Sequence, residues 1–234
     1  MTPEDILSRL LYRDALMLVI DKPAGIPVHK GTGGGVNLEQ YFEALRFGLP
    51  RTPALAHRLD RGTSGCLVLG RHRQALHRLG KMFAGNRIKK TYWAVVSGVP
   101  AETEGVIDLP LAKQSKDRSQ WWMKVEEGGM PAVTRYKVMG SADGYSWLEL
   151  EPQTGRTHQL RVHCAALGHP IVGDVVYGGE AGAMMQLHAR AVEIPLYPKK
   201  DPITVTAPVP RHMGERLERC GFKESIADSG DNSP

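Results

Sequence analysis

One carboxylate between two guanidiniums marks where this chain could do chemistry. Asp60 stands in His57-Arg58-Leu59-Asp60-Arg61-Gly62-Thr63-Ser64-Gly65, with Arg58 and Arg61 on either side. An acid packed among bases is favoured in its ionised form, the form that acts as nucleophile or base. The two arginines also suit a phosphate, which a carboxylate alone repels. An acid for chemistry and bases for an anion are what an enzyme acting on nucleic acid needs. The same residues equally describe a surface ion-pair cluster worth ~0–1 kcal/mol, closed by a Thr-Ser-Gly turn.

A second segment shifts that balance. Thr154-Gly155-Arg156-Thr157-His158-Gln159-Leu160-Arg161-Val162-His163, continuing to Pro170, reads as a helix entered from a glycine turn, with Thr157 as its N-cap. Leu160, Cys164 and Leu167 recur at i, i+4 and i+7 and face a core. Gly168 and Pro170 stop the helix. Arg161 lies ~100° round the wheel from Leu160, at the rim of the buried face, where an acid can meet it. His158 and His163 are five apart and share no helix face as zinc ligands would; they read as polar contacts or satisfied rim residues.

Together these segments resemble the signatures of the RluA type of RNA pseudouridine synthase. Further stretches match in order: Val19–Gly25 with Pro27-Val28-His29, Lys89–Gly98, Pro131–Tyr136, Gly168–Asp174 and Leu187-His188-Ala189. The match runs from about Leu16 to about Pro208. It implies a reaction in which a uridine of RNA loses its N1–ribose bond, turns over and is rejoined through C5. Nothing is added or removed, so the resemblance implies no redox cofactor, nucleotide or metal. It also implies an α+β fold whose mixed, mostly antiparallel sheet has two halves with an RNA cleft between them. Asp60 matches the essential aspartate, Arg161 the basic residue paired with it, and Tyr92 the aromatic that stacks on the flipped base. Arg58 matches the arginine that helps hold the opened RNA, and Leu160 is the apolar neighbour of Arg161. His57, Arg156 and Lys90 are assigned with them to substrate contact. If Arg161 serves Asp60 in this way, Arg161→Met keeps the stem's packing and spares the fold.

The elements that must carry these residues follow from periodicity. Strands are expected at Leu16–Ile20, Cys66–Leu69, Tyr92–Ser97, Thr134–Val138, Trp147–Glu151, Leu187–Ile194 and Ile203–Thr206. A helix opens at Asn37 with a capping-box spacing to Gln40, and Leu38, Tyr41, Phe42 and Leu45 form its apolar face. A second helix carries Ala75, Leu76, Leu79, Met82 and Phe83, the third spans the Arg156–Leu167 region, and a short one follows Arg211. Strands outnumber helices without strict alternation, which favours α+β. Asp21-Lys22 reads as a turn with a surface pair.

Composition bounds the rest. The 234 residues suffice for one catalytic domain, expected over 1–223 without the N-terminal S4 domain of many relatives, followed by a disordered tail at 224–234. The net charge of +5 suits a polyanion, and basic blocks lie at 71–73, 78–81 and 87–90. The expected partner is structured RNA, ribosomal or transfer, and the expected state a monomer. Cys66, Cys164 and Cys220 have neither metal spacing nor a disulfide framework, which points to the cytoplasm. No apolar run approaches the ~20 residues of a membrane span. Gly31–Gly35 lacks the Lys-Ser/Thr ending of a phosphate loop. Trp121 and Trp122 either stack on RNA or pack a hairpin. Two rival readings are a catalytically inactive RNA-binding module and a hydrolase acting on nucleosides or a phosphoester; the second normally needs paired acids or a metal cluster, where this site offers one acid.

Overall fold

In the computed structural model, residues 1–30, 34–114 and 122–223 are described. Two apolar runs, each buried on both faces, form adjacent strands: β2 (Met17–Lys22) and β4 (Ser64–Gly70). Their side chains alternate between two cores. Met17, Val19, Cys66 and Val68 point into one; Leu18, Ile20, Leu67 and Leu69 point into the other. The first core is closed by α2 (Arg73–Ala84) through Leu79 and Met82. The second is closed by α1 (Pro3–Ser8) through Ile6 and by a 3-10 helix, Leu38–Leu45, through Leu38, Phe42 and Leu45. Each such aliphatic side chain contributes ~1.5–3 kcal/mol on full burial.

The other half repeats the scheme. β5 (Lys89–Ser97) and β10 (Tyr145–Pro152) send Ala94, Val96, Leu148 and Leu150 to one face, under α3 (Gln159–Ala166). Val95 and Trp147 go to the opposite face, under α4 (Arg211–Arg219). β1 (Leu10–Arg13) flanks β2; β9 (Val133–Ala142) and β6 (Glu104–Asp108) extend the sheet beyond β10. β11 (Leu187–Ile194) joins the halves, and the order is β1-β2-β4-β11-β5-β10-β9-β6. β12 (Ile203–Thr206) pairs with β11, and β3 (Ala54–Leu55) with β4. β7 (Leu111–Lys113) and β8 (Met123–Val125) form a separate hairpin ladder.

Among these pairs only β4 with β11 is parallel, through His188 opposite Ser64 and Ala189 opposite Gly65. Gly65 has φ +100°, and a Cβ there would lie 2.2 Å from Ala189 O. Only glycine allows the halves to meet so closely. The expected α+β class and largely antiparallel sheet are thus present, and each expected strand exists. The short elements α1, β1, β3, β6, β7 and β8 were outside the sequence expectation, because runs of two to six residues carry too little periodicity.

Helix entries differ from expectation. Asn37 forms no side-chain cap, and the segment behind it is 3-10, although its apolar face is buried as expected. α3 starts one residue later than Thr157 predicts. Its N-cap is His158 in the left-handed region, φ 53°, without a side-chain cap. Gln159 organises this turn instead: Oε1 accepts from Arg156 N–H (3.0 Å) and Thr154 Oγ1 (2.7 Å), while Nε2 donates to Val133 O and Thr134 Oγ1. Among the described residues no helix is long and apolar enough to cross a membrane. Gly31, Thr32, Gly33, Trp121 and the tail at 224–234 lie outside the described residues.

Candidate active site

Asp60 lies in the turn leading into β4, and its backbone is fixed before its side chain is used. Thr63 N–H bonds Asp60 O at 3.1 Å. Lys22 stands at the end of β2 and is fully buried, correcting its reading as half of a surface pair. Its Nζ donates to Pro23 O (2.8 Å), Arg61 O (3.2 Å) and Thr63 O (2.8 Å). Burial pushes the Lys22 ammonium down to about 8, against the attraction of Asp60 and then Asp21. Arg61 Nε and Gly25 N–H complete the clasp, bonding Gly25 O and Arg61 O. Asp21 pairs instead with Arg9 at 3.5 Å.

The second wall is α3. Arg161 is buried and holds Asp174 by a two-pronged pair, Nε to Oδ2 at 2.7 Å and Nη2 to Oδ1 at 2.8 Å. Its remaining nitrogen, Nη1, reaches Asp60 Oδ2 at 3.3 Å. Burial opposes the guanidinium's charge; Asp174 and then Asp60 more than restore it, so the group is held more firmly protonated than usual. The sequence pairing of Asp60 with Arg161 is therefore present, but Asp174 is the stronger partner. That overturns the expectation that Arg161→Met spares the fold, since it would strand a carboxylate that is 1% exposed.

His158 belongs to the same site. Its Nε2 lies 3.8 Å from Asp60 Oδ2 and its Nδ1 2.8 Å from Tyr177 Oη. Tyr177 Oη accepts from Met123 N–H (2.9 Å); in the tautomer where Tyr177 donates to Nδ1, the ring proton of His158 faces Asp60. Burial lowers the His158 pKa, against Asp60, which favours the neutral donor at pH 7. The Tyr177 ring also covers Arg161, 5.0 Å from guanidinium carbon to ring centre. His163, by contrast, is a core residue: Nδ1 pairs with Thr134 Oγ1 and Nε2 with Leu109 O.

The two walls enclose a cleft of about 610 Å³ lined by every residue assigned from sequence: Asp60, Arg161, Tyr92, Arg58, His57, Leu160, Arg156 and Lys90. Tyr92 rises from β5, opposite Ala189 and Leu150, and packs where the cores of the two halves meet. Burial, then Asp60, raises its hydroxyl pKa and keeps it neutral. Leu160 is buried beside Arg161. Arg58 is exposed and has no side-chain hydrogen bond or ion pair among the described residues. Lys90 Nζ is tied to Thr154 O at 3.3 Å and Arg156 Nε to Pro131 O at 3.0 Å. His57 is half-buried in the cleft wall. It accepts from Val68 N–H (3.0 Å), stacks on Phe83 with ring centres 4.3 Å apart, and burial pushes it down to about 3. Of the two tryptophans, Trp122 is exposed on the β7–β8 hairpin.

Sequence reasoning missed Lys22, His158, Tyr177 and Asp174 as parts of this site. Lys22 continues the period-2 burial of Leu18 and Ile20, a signal available in the strand pattern. Asp174 and Tyr177 come close to Arg161 only through the fold.

The family model for RNA pseudouridylate synthases matches residues 16–166. An uncharacterised RNA pseudouridine synthase of Zymomonas mobilis is 46% identical over 210 residues, covering 88% of this chain and 95% of its own. The ribosomal large subunit pseudouridine synthase D of Xanthomonas campestris is 37% identical over 232 residues, covering 90% and 71%. The solved structure of human RNA pseudouridylate synthase domain containing 4 has a TM-score of 0.79 and 27% identity, covering 95% of this chain and 96% of that one. With this breadth of match and a shared fold, the chain belongs to the RluA-type family of RNA pseudouridine synthases, isomerases that act on RNA.

Proposed function

We propose that this chain converts specific uridines of structured RNA to pseudouridine with Asp60 as the catalytic residue. The observation that carries the reading is the division of labour at one guanidinium. Asp60 Oδ2 is held by Arg161, while Oδ1 has no protein partner among the described residues and the side chain is 31% exposed in the cleft. Such a carboxylate is oriented yet available.

A base inside a helix cannot turn over, so the uridine is extruded, at a cost of a few kcal/mol. Tyr92 offers it a stacking face worth ~1–3 kcal/mol. Arg58 at the rim meets phosphate. The N1–C1′ bond breaks, the base rotates in the cleft, C5 bonds to C1′, and the C5 proton is released while N1 gains one. Atoms and electrons balance within the nucleotide, so this reading requires no cofactor. Residues 1–223 act as one catalytic unit, which the unbroken ten-stranded sheet supports. Three buried free cysteines suit a reducing compartment such as the cytoplasm.

Ribosomal RNA is the first substrate to test, since relatives from Xanthomonas campestris and Buchnera aphidicola are named for the large ribosomal subunit; transfer RNA is the second. The test uses ribosomal and transfer RNA from cells lacking this gene, labelled with tritium at uridine C5. Tritium release with unchanged RNA mass, and a new adduct-reactive position, is expected. Cleavage of the RNA or release of free uracil would replace isomerisation by hydrolysis.

A further inference from the structure

From Arg61 through Ala101 the sequence holds eight Lys and Arg and no Asp or Glu. The whole chain is net +5, so the remainder is net acidic. The fold sorts these cations. Arg71 is turned inward, donating to Asp14 O (2.6 Å) and Arg46 O (3.4 Å), and Arg78 donates to Leu196 O. Lys89 bridges Glu151 and Glu193, both at 3.3 Å. Its pairing places it outside the free basic surface.

Arg73, His77 and Lys81 behave differently. They recur at i, i+4 and i+8 on α2, opposite its buried Ala75, Leu79 and Met82, and Arg87 follows just past the helix end. All four are exposed, and among the described residues none makes a side-chain hydrogen bond or ion pair. The far end of the sheet shows the contrast: exposed Arg219 pairs with Asp143 and Glu215, and Arg216 with Glu180.

Two features of α2 weaken the helix without serving the fold. Gly80 shares the exposed face, and a Cβ there would meet nothing within 4 Å. No packing requires glycine, which costs ~1 kcal/mol against alanine. The first turn carries Arg73 and no acid, against the helix dipole, whereas α1 carries Glu4 and Asp5 there. The result is a cationic face with a gap at Gly80. Its C-terminal end reaches the cleft, where Phe83, Ala84 and Lys90 are lining residues. At 1.5 Å per residue, Arg73 stands ~16 Å along the helix from Ala84.

We propose that this face of α2 is a track for the phosphate backbone of the substrate RNA as it leaves the cleft. Arg73, Lys81 and Arg87 neutralise phosphates, His77 bonds one, and Gly80 admits the strand close to the helix. The occupant follows from charge complementarity and from continuity with the cleft, and the inference rests on reading that cleft as the RNA site.

The test compares the parent chain with Arg73→Gln/Lys81→Gln/Arg87→Gln and, separately, with Gly80→Glu. The probe for binding is a 30-nucleotide RNA stem–loop with uridines in the loop. The triple variant should bind it ~10–100-fold more weakly at 0.1 M salt, with the slope of log affinity against log salt reduced by ~2–3, one counterion release per phosphate lost. Gly80→Glu should raise thermal stability yet weaken binding, an opposition that a purely structural role cannot give. On labelled bulk RNA both variants should raise KM about tenfold and leave kcat within twofold. Arg216→Gln/Arg219→Gln serves as control and should leave the slope unchanged. An unchanged slope in the triple variant, or an equal change in the control, overturns the track. Absence of tritium release by the parent chain would instead overturn the proposed reaction, while the stem–loop slopes still judge the track.

Discussion

Asp60 and Asp174 bind the same guanidinium and do opposite work. Asp174 is 1% exposed and takes two of the Arg161 nitrogens; Asp60 is 31% exposed and takes the third. The buried acid fixes the base, and the fixed base aims the open acid. The walls that carry them differ in the same way. The Asp60 turn is held mainly through its backbone, by Lys22 on the carbonyls of Pro23, Arg61 and Thr63. The α3 wall is held through side chains, by Arg161, Asp174, His158 and Tyr177. Asp60 keeps lone pairs free towards the cleft, and its position is set through its peptide groups.

The largest expected effect separates the two acids. Asp60→Asn should lower turnover at least ~1000-fold, ~4 kcal/mol of barrier, with RNA binding and thermal stability near those of the parent. Single-turnover tritium release and a melting curve measure both; turnover within tenfold of the parent would remove Asp60 from its assigned role. Arg161→Met should damage both acids at once. It leaves Asp174 buried and unpaired, a loss of ~3–5 kcal/mol of stability, and it abolishes the aim of Asp60. Urea melts of Arg161→Met and of Arg161→Met/Asp174→Leu decide the matter: the second change should recover stability but not turnover. Recovery of both would mean that the guanidinium only supports the fold.

Acid should open the Asp60 wall before the α3 wall. His188 pairs with Ser64 beside the Asp60 turn at 2.8 Å, and burial pushes its pKa from 6.5 down to about 4. An unfolded histidine takes its proton near 6.5, while the folded one resists to about 4. The contribution is therefore full above pH 6.5 and lost as pH falls towards 4, ~3 kcal/mol in all. His57, held down to about 3 by burial, adds in the same direction. Amide exchange at pH 7 and pH 5 should show protection falling first at Ser64–Val68. Earlier opening at Leu160–Cys164 would reverse the ranking of the walls.

The smallest effect sharpens the aim of Asp60. His158→Gln should slow turnover ~10-fold, because the donor facing Asp60 Oδ2 is displaced. Tyr177→Phe keeps the ring over Arg161 but cuts the link from Met123 to His158, and should cost roughly threefold. Stopped-time turnover at pH 7 measures both. Parent rates in both variants would leave Arg161 as the sole group that orients the acid.

The legible parts of the fold were those with a long local signal. The runs at Met17–Ile20 and Cys66–Leu69 announce strands buried on both faces, and Leu79 and Met82 announce the inner face of α2. The family resemblance placed Asp60, Tyr92 and Arg161 in one site, and the fold brings them there. The entry to α3 was misread because His158 adopts a left-handed backbone that no spacing rule selects, and because the turn is organised by Gln159 from one residue further on.

By itself, the sequence determined which residue types could react, where the strands with a clear periodic signal lie and that the chain is net basic, because propensity, periodicity and charge are local properties. Only the tertiary structure decided which acid is spent and which is free. Nothing in the composition of Asp60 and Asp174 separates them; their difference is solvent exposure and the number of nitrogens left to share. The same holds for the cations: Lys22 and Arg71 went inward to carbonyls, Lys89 to glutamates, and Arg73 and Lys81 to solvent. Desolvation and partner choice are set by neighbours distant in sequence, so they come into being only when the halves of the sheet close on one another.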